Sequence, residues 1–293
     1  MNDISPTIVK FNHQTWQLTT TIQLVQSDQQ QGHYIVTAET PFHPVSHIWP
    51  DHPADRGMLV VNEKREAVVD CLTGAVELAT GELFVAEAIP VKRDTSGWAF
   101  VVVHRVNSDL LLNVGDSVLL EVNQAYQQRL SRGHSAGHLA YLALNKILNG
   151  HYWRKDADRK DELGHYDFNS YALETSFVTE DCCTDTYRLG KTLRKRGLNS
   201  AEMVENLPAI ESAINAQLAA WLALNSDIEV VCDGERLTDS RYWHCHLGES
   251  GKAVIPCGGT HVNSLAEYRS ITVVLTLVDA QQLQMVTTSC MTR

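Results

Sequence analysis

The sequence predicts an α+β protein of two domains, and three observations carry that prediction. The first ~125 residues are short apolar runs divided by turn chemistry, the pattern of an all-β barrel or sandwich. The hydrophobic period then becomes helical, and strand-like runs resume toward the C-terminus. A length of 293 residues also exceeds what one hydrophobic core usually holds. The expected division is a β domain over 1–125 and an α+β domain with an antiparallel sheet and helices over 126–293.

In order, the expected strands of the first domain are Trp16 to Val25, Tyr34 to Ala38, Met58 to Val61, Ala67 to Cys71, Leu83 to Ala88, Trp98 to Arg105 and Ser117 to Val122. Thr73-Gly74, Asp94 to Gly97 and Val114 to Asp116 have the chemistry of turns between them. Pro41 to Pro53 holds four prolines, which exclude regular pairing, together with three histidines and Trp49. A shaped loop is expected there. After Arg129 a helix carries His134, His138, Tyr141, Leu142 and Asn145 on one stripe and closes at Asn149-Gly150, placing the histidines near its start. Phe168 to Thr179 reads as a strand. Pro208 suits the first position of a helix to Leu224 with Ile210, Ile214, Leu218 and Trp221 on its buried face. Strands follow at Ile228 to Cys232, Tyr242 to His246, Ala253 to Ile255, Ile271 to Asp279 and Leu283 to Thr288.

Composition narrows the function classes. Hydrophobic residues make up 44% and charged residues 20% of the chain, as in ordinary globular proteins, and no apolar run approaches the ~18 residues of a membrane span. The N-terminus lacks a basic patch followed by an apolar run, so no secretory signal is expected. Seven scattered cysteines fit reduced thiols better than a disulfide framework, and the cytoplasm is the expected compartment. A net charge of −11 argues against a broad grip on nucleic acid. Locally, however, Arg188, Lys191, Arg194, Lys195 and Arg196 form a basic run with no acid among them, suited either to phosphate contact or to a solvated loop.

The chemistry concentrates in two distant segments. His134 and His138 stand at i and i+4, where imidazoles share one helix face. Cys257 and His261 bracket Gly258, Gly259 and Thr260, and the glycines are expected to let the loop bend until thiolate and imidazole converge. Either pair alone is more often structural than metal-binding. Together they are the four soft-to-borderline donors that zinc prefers. Ser135, Ala136 and Gly137 include no glutamate, so His-Glu-x-x-His peptidase chemistry is not expected. Cys182 with Cys183, and His244 with His246, are read as bystanders.

Helical His-x-x-x-His followed by Cys-Gly-Gly-Thr-His resembles the AlaX family of free-standing alanyl-tRNA editing proteins, whose editing domain is also built into alanyl-tRNA synthetases and has a relative in threonyl-tRNA synthetases. The likeness covers most of the chain, including Leu112 to Val122 leading into the His134 helix. It implies a β-barrel ahead of an α+β editing domain, a Zn2+ held by His134, His138, Cys257 and His261, and tRNA as partner. The implied activity is hydrolysis of the ester on mischarged alanine tRNA, chiefly the seryl and also the glycyl ester. Thr260 would then line the pocket, with Gly258, Gly259 and the basic run near the RNA. Two departures stand out. The family's glycine-rich loop, Tyr-Pro-x-Gly-Gly-Gly-Gln-Pro-x-Asp-x-Gly, is replaced by Phe42 to Gly57, from which the run of glycines has gone. Its later Thr-Gly-Glu-Ile-Gly keeps only Glu267. The alternatives are a non-catalytic RNA-binding or interaction protein with a structural zinc, and a zinc hydrolase acting on another ester.

Overall fold

The computed structural model describes residues 4–28, 32–48, 50–107 and 111–292. The strands are β1 Ile8–Val9, β2 Gln17–Ser27, β3 His33–Thr37, β4 Glu39–Thr40, β5 Gly57–Val61, β6 Lys64–Glu77, β7 Glu82–Val85, β8 Trp98–Val106 and β9 Ser117–Val122. Next come helices α1 Gln124–Asn149 and α2 Phe168–Ala172, strands β10 Leu173–Thr179 and β11 Cys182–Arg188, and helices α3 Lys191–Arg196, α4 Ser200–Glu205 and α5 Leu207–Leu222. The chain closes with β12 Ile228–Cys232, β13 Arg241–His246, β14 Lys252–Pro256, β15 Tyr268–Asp279 and β16 Gln282–Met291. The fold is α+β with mainly antiparallel sheets. Among the described residues no helix is long and apolar enough to cross a membrane.

The chain divides into two compact units. The first comprises Met1–Gln128 with the returning segments Cys232–Arg241 and Gly258–Thr260; the second comprises Arg129–Val231, Tyr242–Cys257 and His261–Arg293. In the first, seven strands run in the order β5-β9-β2-β3-β8-β6-β7, and β5 also pairs with β6, so six of them return on themselves as a ring. Ile35, Phe42, Leu59, Val102 and Leu120 are buried within this unit. The expected turn at Thr73-Gly74 is instead the interior of β6, where Gly74 pairs with Val85 and Val101. A Cβ there would lie 2.6 Å from Val103 Cγ2, so this glycine serves close packing rather than a turn. The Pro41 to Pro53 segment is a shaped loop that bridges Val45 to Leu72; Trp49 lies outside the described residues.

The second unit holds a four-stranded antiparallel sheet, β10-β11-β16-β15, and a three-stranded one, β12-β13-β14. α5 buries the four expected residues, Ile210, Ile214, Leu218 and Trp221; full burial of such side chains contributes about 1.5–3 kcal/mol each. It also covers the edge of β15, with Asn215 exchanging hydrogen bonds with the Val273 backbone and Glu211 accepting from the Leu275 N–H. Two expectations change here. Phe168 to Ala172 is helical because the Asp167 carboxylate accepts the Ser170 N–H as an N-cap, so the strand begins only at Leu173. The basic run is no loop either: Lys191–Arg196 is helix α3, with Leu193 buried.

Candidate metal centre

α1 begins five residues earlier than the sequence suggests, because Asn123 accepts the Tyr126 N–H at 3.1 Å and caps it. His134 and His138 therefore lie in mid-helix. Each follows a glycine, and the reason is spatial. A Cβ on Gly133 would sit 2.5 Å from the Cys182 carbonyl oxygen and 2.6 Å from that of Thr179, while one on Gly137 would sit 2.8 Å from Cys183 Sγ. The β10–β11 hairpin thus lies flush on the glycine stripe of α1. Its tip is clamped by Asp181, which accepts from Arg129 Nε at 2.6 Å and from Arg132 Nε at 2.5 Å. Cys183 is a packing residue, with burial pushing its thiol up. Sequence reading missed this hairpin's role entirely.

The structure brings His134, His138, Cys257 and His261 together, with their ligating atoms all within 4.8 Å of one another. β14 delivers Cys257 directly after Pro256. Cys257 Sγ is 3.4 Å from His134 Nε2 and 3.3 Å from His261 Nε2. A tetrahedral zinc with sulfur at about 2.3 Å and nitrogen at about 2.0 Å has S···N edges of about 3.5 Å, close to these two separations, and the donor types suit such an ion. His261 is oriented from behind: its Nδ1 lies 3.0 Å from Ser135 Oγ, which also accepts the Val262 N–H. With Nε2 directed at the cluster, Nδ1 carries the proton and donates to Ser135, the arrangement that fixes a ligand histidine's tautomer. Trp243 stands edge-on to His138, with ring centroids 5.4 Å apart. Beyond His261, Glu267 accepts the Asn263 N–H at 2.8 Å and ties the chain down.

Other residues of the two motifs resolve differently. Neither Gly258 nor Gly259 has a positive φ, and a Cβ on Gly258 would meet nothing closer than 4.0 Å, so the bend does not require left-handed backbone there. Asn145, on the histidine stripe, is structural: its amide donates to Asp161 and Asp167 and accepts from the Asn169 N–H. Among the described residues no second group of three or more His, Cys, Asp or Glu donors has ligating geometry, so His244 and His246 gather no further ligand. No disulfide joins any of the seven cysteines.

Within the first unit, Thr260 is 4% exposed and its hydroxyl lies 3.3 Å from His52 Nε2. His52 Nδ1 is 2.9 Å from the Pro53 carbonyl, which can only accept, so Nδ1 bears the proton and Thr260 donates to Nε2. Burial lowers the His52 pKa to about 4, keeping the ring neutral at pH 7. His43 packs edge-on at 4.4 Å between ring centroids, and Asp55 accepts from the His43 N–H at 2.7 Å and from Gln127 at 2.6 Å. Desolvation raises the Asp55 carboxyl to about 7. The sequence marks the histidines of Pro41 to Pro53, but nothing local links them to Thr260.

No family model matches the chain. It is similar to alanine–tRNA ligases of Streptococcus pyogenes, among them those of serotype M5 strain Manfredo, serotype M3 strain SSI-1 and serotype M28 strain MGAS6180, each 22% identical over 274 residues. The alignments cover 88% of this chain but 25% of each ligase, so the chain spans about a quarter of the relatives it matches. The likeness to the alanyl-tRNA editing family, carried first by two short motifs, is thus accompanied by similarity to alanine–tRNA ligases along most of the chain.

Proposed function

We propose that this chain is a zinc-dependent hydrolase that acts in trans on mischarged tRNA, cleaving the aminoacyl ester of Ser-tRNA(Ala) and, second, of Gly-tRNA(Ala). The observation that carries the reading is the convergence of four His and Cys donors within 4.8 Å, in a chain similar to alanine–tRNA ligases. His134, His138, Cys257 and His261 would hold the ion, which when bound supplies Lewis acidity to an ester carbonyl or to water. An aminoacyl ester is already activated, so orientation does much of the work. Ser135 holds the His261 ring in one tautomer, and His52 sets the Thr260 hydroxyl between two ligands in sequence. Discrimination against alanine would come from polar groups that pair with the serine hydroxyl and are left unsatisfied by a methyl. The ring of the first unit is read as the family's β-barrel, and the cytoplasm as the working compartment.

The test is direct. Purified protein is given seryl-, glycyl- and alanyl-tRNA(Ala), with and without chelator, beside His134→Ala and Cys257→Ala. Seryl and glycyl esters should be cleaved and alanyl spared, with hydrolysis lost on chelation and in both variants; unchanged hydrolysis by a metal-free variant overturns the proposal. One observation favours a second reading. Four protein donors fill a tetrahedral zinc, the usual mark of a structural site. An intact, zinc-loaded protein that cleaves no ester yet unfolds on chelation would establish that role instead.

A further inference from the structure

The second unit carries an uncompensated basic surface that the metal centre does not use. Residues 152–155 run antiparallel beside 197–199: the Arg154 N–H donates to the Gly197 carbonyl at 2.8 Å, the Asn199 N–H to that of Tyr152 at 2.7 Å, and Trp153 bridges Leu198. Gly197 ends α3 with φ +112°, and a Cβ there would lie 2.6 Å from Lys155 Cγ. The Lys155 stem therefore lies across this glycine. A cleft of about 840 Å³ is lined by Arg154, Lys155 and Arg194, and an adjoining one of about 470 Å³, sharing Lys155, is lined by Lys195 and Arg196.

The charges here are not balanced. Arg196 is paired with Asp158 at 2.5 Å and Arg188 with Glu174 at 3.6 Å. Among the described residues, Arg154, Lys155, Lys191, Arg194 and Lys195 form no ion pair, although all five are exposed and the chain's net charge is −11. The clefts' own acids are Glu205, Asp156 and Asp158; Asp158 is engaged by Arg196, and Asp156 accepts from the Tyr166 hydroxyl. A lone phosphate would be met by convergent, buried donors. Of these cations, Arg154, Lys155, Arg194 and Lys195 instead line two open, adjoining clefts.

We infer that this groove binds the sugar–phosphate backbone of RNA, with Arg154, Lys155, Arg194 and Lys195 as phosphate contacts. The inference deepens the tRNA reading, and it narrows the basic run seen in the sequence to Arg194 and Lys195, joined by Arg154 and Lys155. The test is fluorescence anisotropy of the zinc-loaded full chain with a labelled RNA hairpin bearing a single-stranded 3′ tail, titrated across salt. Each phosphate contact contributes about 0.7–0.9 to the slope of log affinity against log salt. Lys155→Ala/Arg194→Ala/Lys195→Ala should flatten that slope by about 2 and weaken binding by about tenfold or more at 0.1 M salt. Zinc content should be unchanged, and the exposed Lys92→Ala should bind as wild type does. Equal slopes and affinities for the triple variant and wild type overturn the groove while leaving ester hydrolysis untouched. RNA binding through these residues without any hydrolysis supports the groove and removes the hydrolase reading.

Discussion

Replacing Gly133 by alanine separates two forces that act oppositely on α1. Helix propensity alone favours the change by about 1 kcal/mol, since glycine is the weakest former after proline. Packing opposes it. The new Cβ would lie 2.5, 2.6 and 2.8 Å from three main-chain atoms of the β10–β11 hairpin, up to 0.9 Å inside the 3.4 Å where ordinary contact begins. Main chain cannot rotate away, and Asp181 pins the hairpin through Arg129 and Arg132, so the strain falls at the upper end of the roughly 1–3 kcal/mol typical of overpacking. The expected net is a loss of about 2 kcal/mol, read from urea unfolding of the zinc-loaded protein. Zinc affinity should fall as well, because the turn that moves carries His134. Gly137→Ala should cost less, since its neighbours are the Sγ and Cβ of one side chain. Gly150→Ala, with nothing within 4 Å, should stay within about 0.5 kcal/mol of wild type. A Gly133→Ala protein as stable as wild type would show that propensity governs this stripe and that the hairpin contact does not position the histidines.

Ser135→Ala removes the acceptor behind His261 and should weaken zinc binding about 10–100-fold in competition with a chromophoric chelator; equal affinities would mean the hydroxyl does not orient the ring. Asp55 titrates near 7 in the folded chain against 3.8 for the free group, so the native state holds its proton more tightly. Its contribution is fully present below pH 4, declines as pH rises toward 7 and is level above, a loss on the order of 4 kcal/mol at most. Asp55→Asn keeps an acceptor for the His43 N–H and should abolish that decline; coincident unfolding free energies for the two proteins at pH 4, 6 and 8 would contradict it. For the metal itself, His134→Ala and Cys257→Ala should each lower zinc content below one ion per chain, and full occupancy in either would remove that residue from the ligand set.

What was legible in the sequence was local or periodic. His134 and His138 at helical spacing, the Cys257 to His261 run and the buried face of α5 announce themselves within a few residues. The remainder depended on partners far along the chain. Asn123 reads as the end of a strand until its side chain is seen to cap α1. Gly133 and Gly137 look like helix weaknesses, because the hairpin that requires them begins some forty residues later. Gly74 looks like a turn, because Val103, on another strand of the ring, is what excludes a side chain there. Thr260 and His52 are 208 positions apart, and no periodicity links them.

That last pair also gives a physical account of how the Phe42 to Gly57 segment departs from the family's glycine-rich loop. Asp55 and Gly57 of this segment are both tightly constrained within the first unit. Asp55 receives the His43 N–H and the Gln127 amide in a buried setting. Gly57 has no room for a Cβ, which would lie 2.0 Å from the Glu121 carbonyl oxygen and 2.7 Å from Phe42 Cζ. In place of a run of glycines the segment has side chains that pack on their surroundings: Phe42 against His104, His43 against Phe11 and His52, and His52 against Thr260. Glycines offer backbone amides to a ligand at close range, whereas burial keeps His43 and His52 neutral and presents one lone pair to the Thr260 hydroxyl. A loop of that kind holds Thr260 with a side-chain acceptor. If the proposed hydrolysis holds, a change of substrate preference is therefore expected on substitution of His52, and a change of zinc affinity on substitution of Ser135 or the glycine stripe of α1.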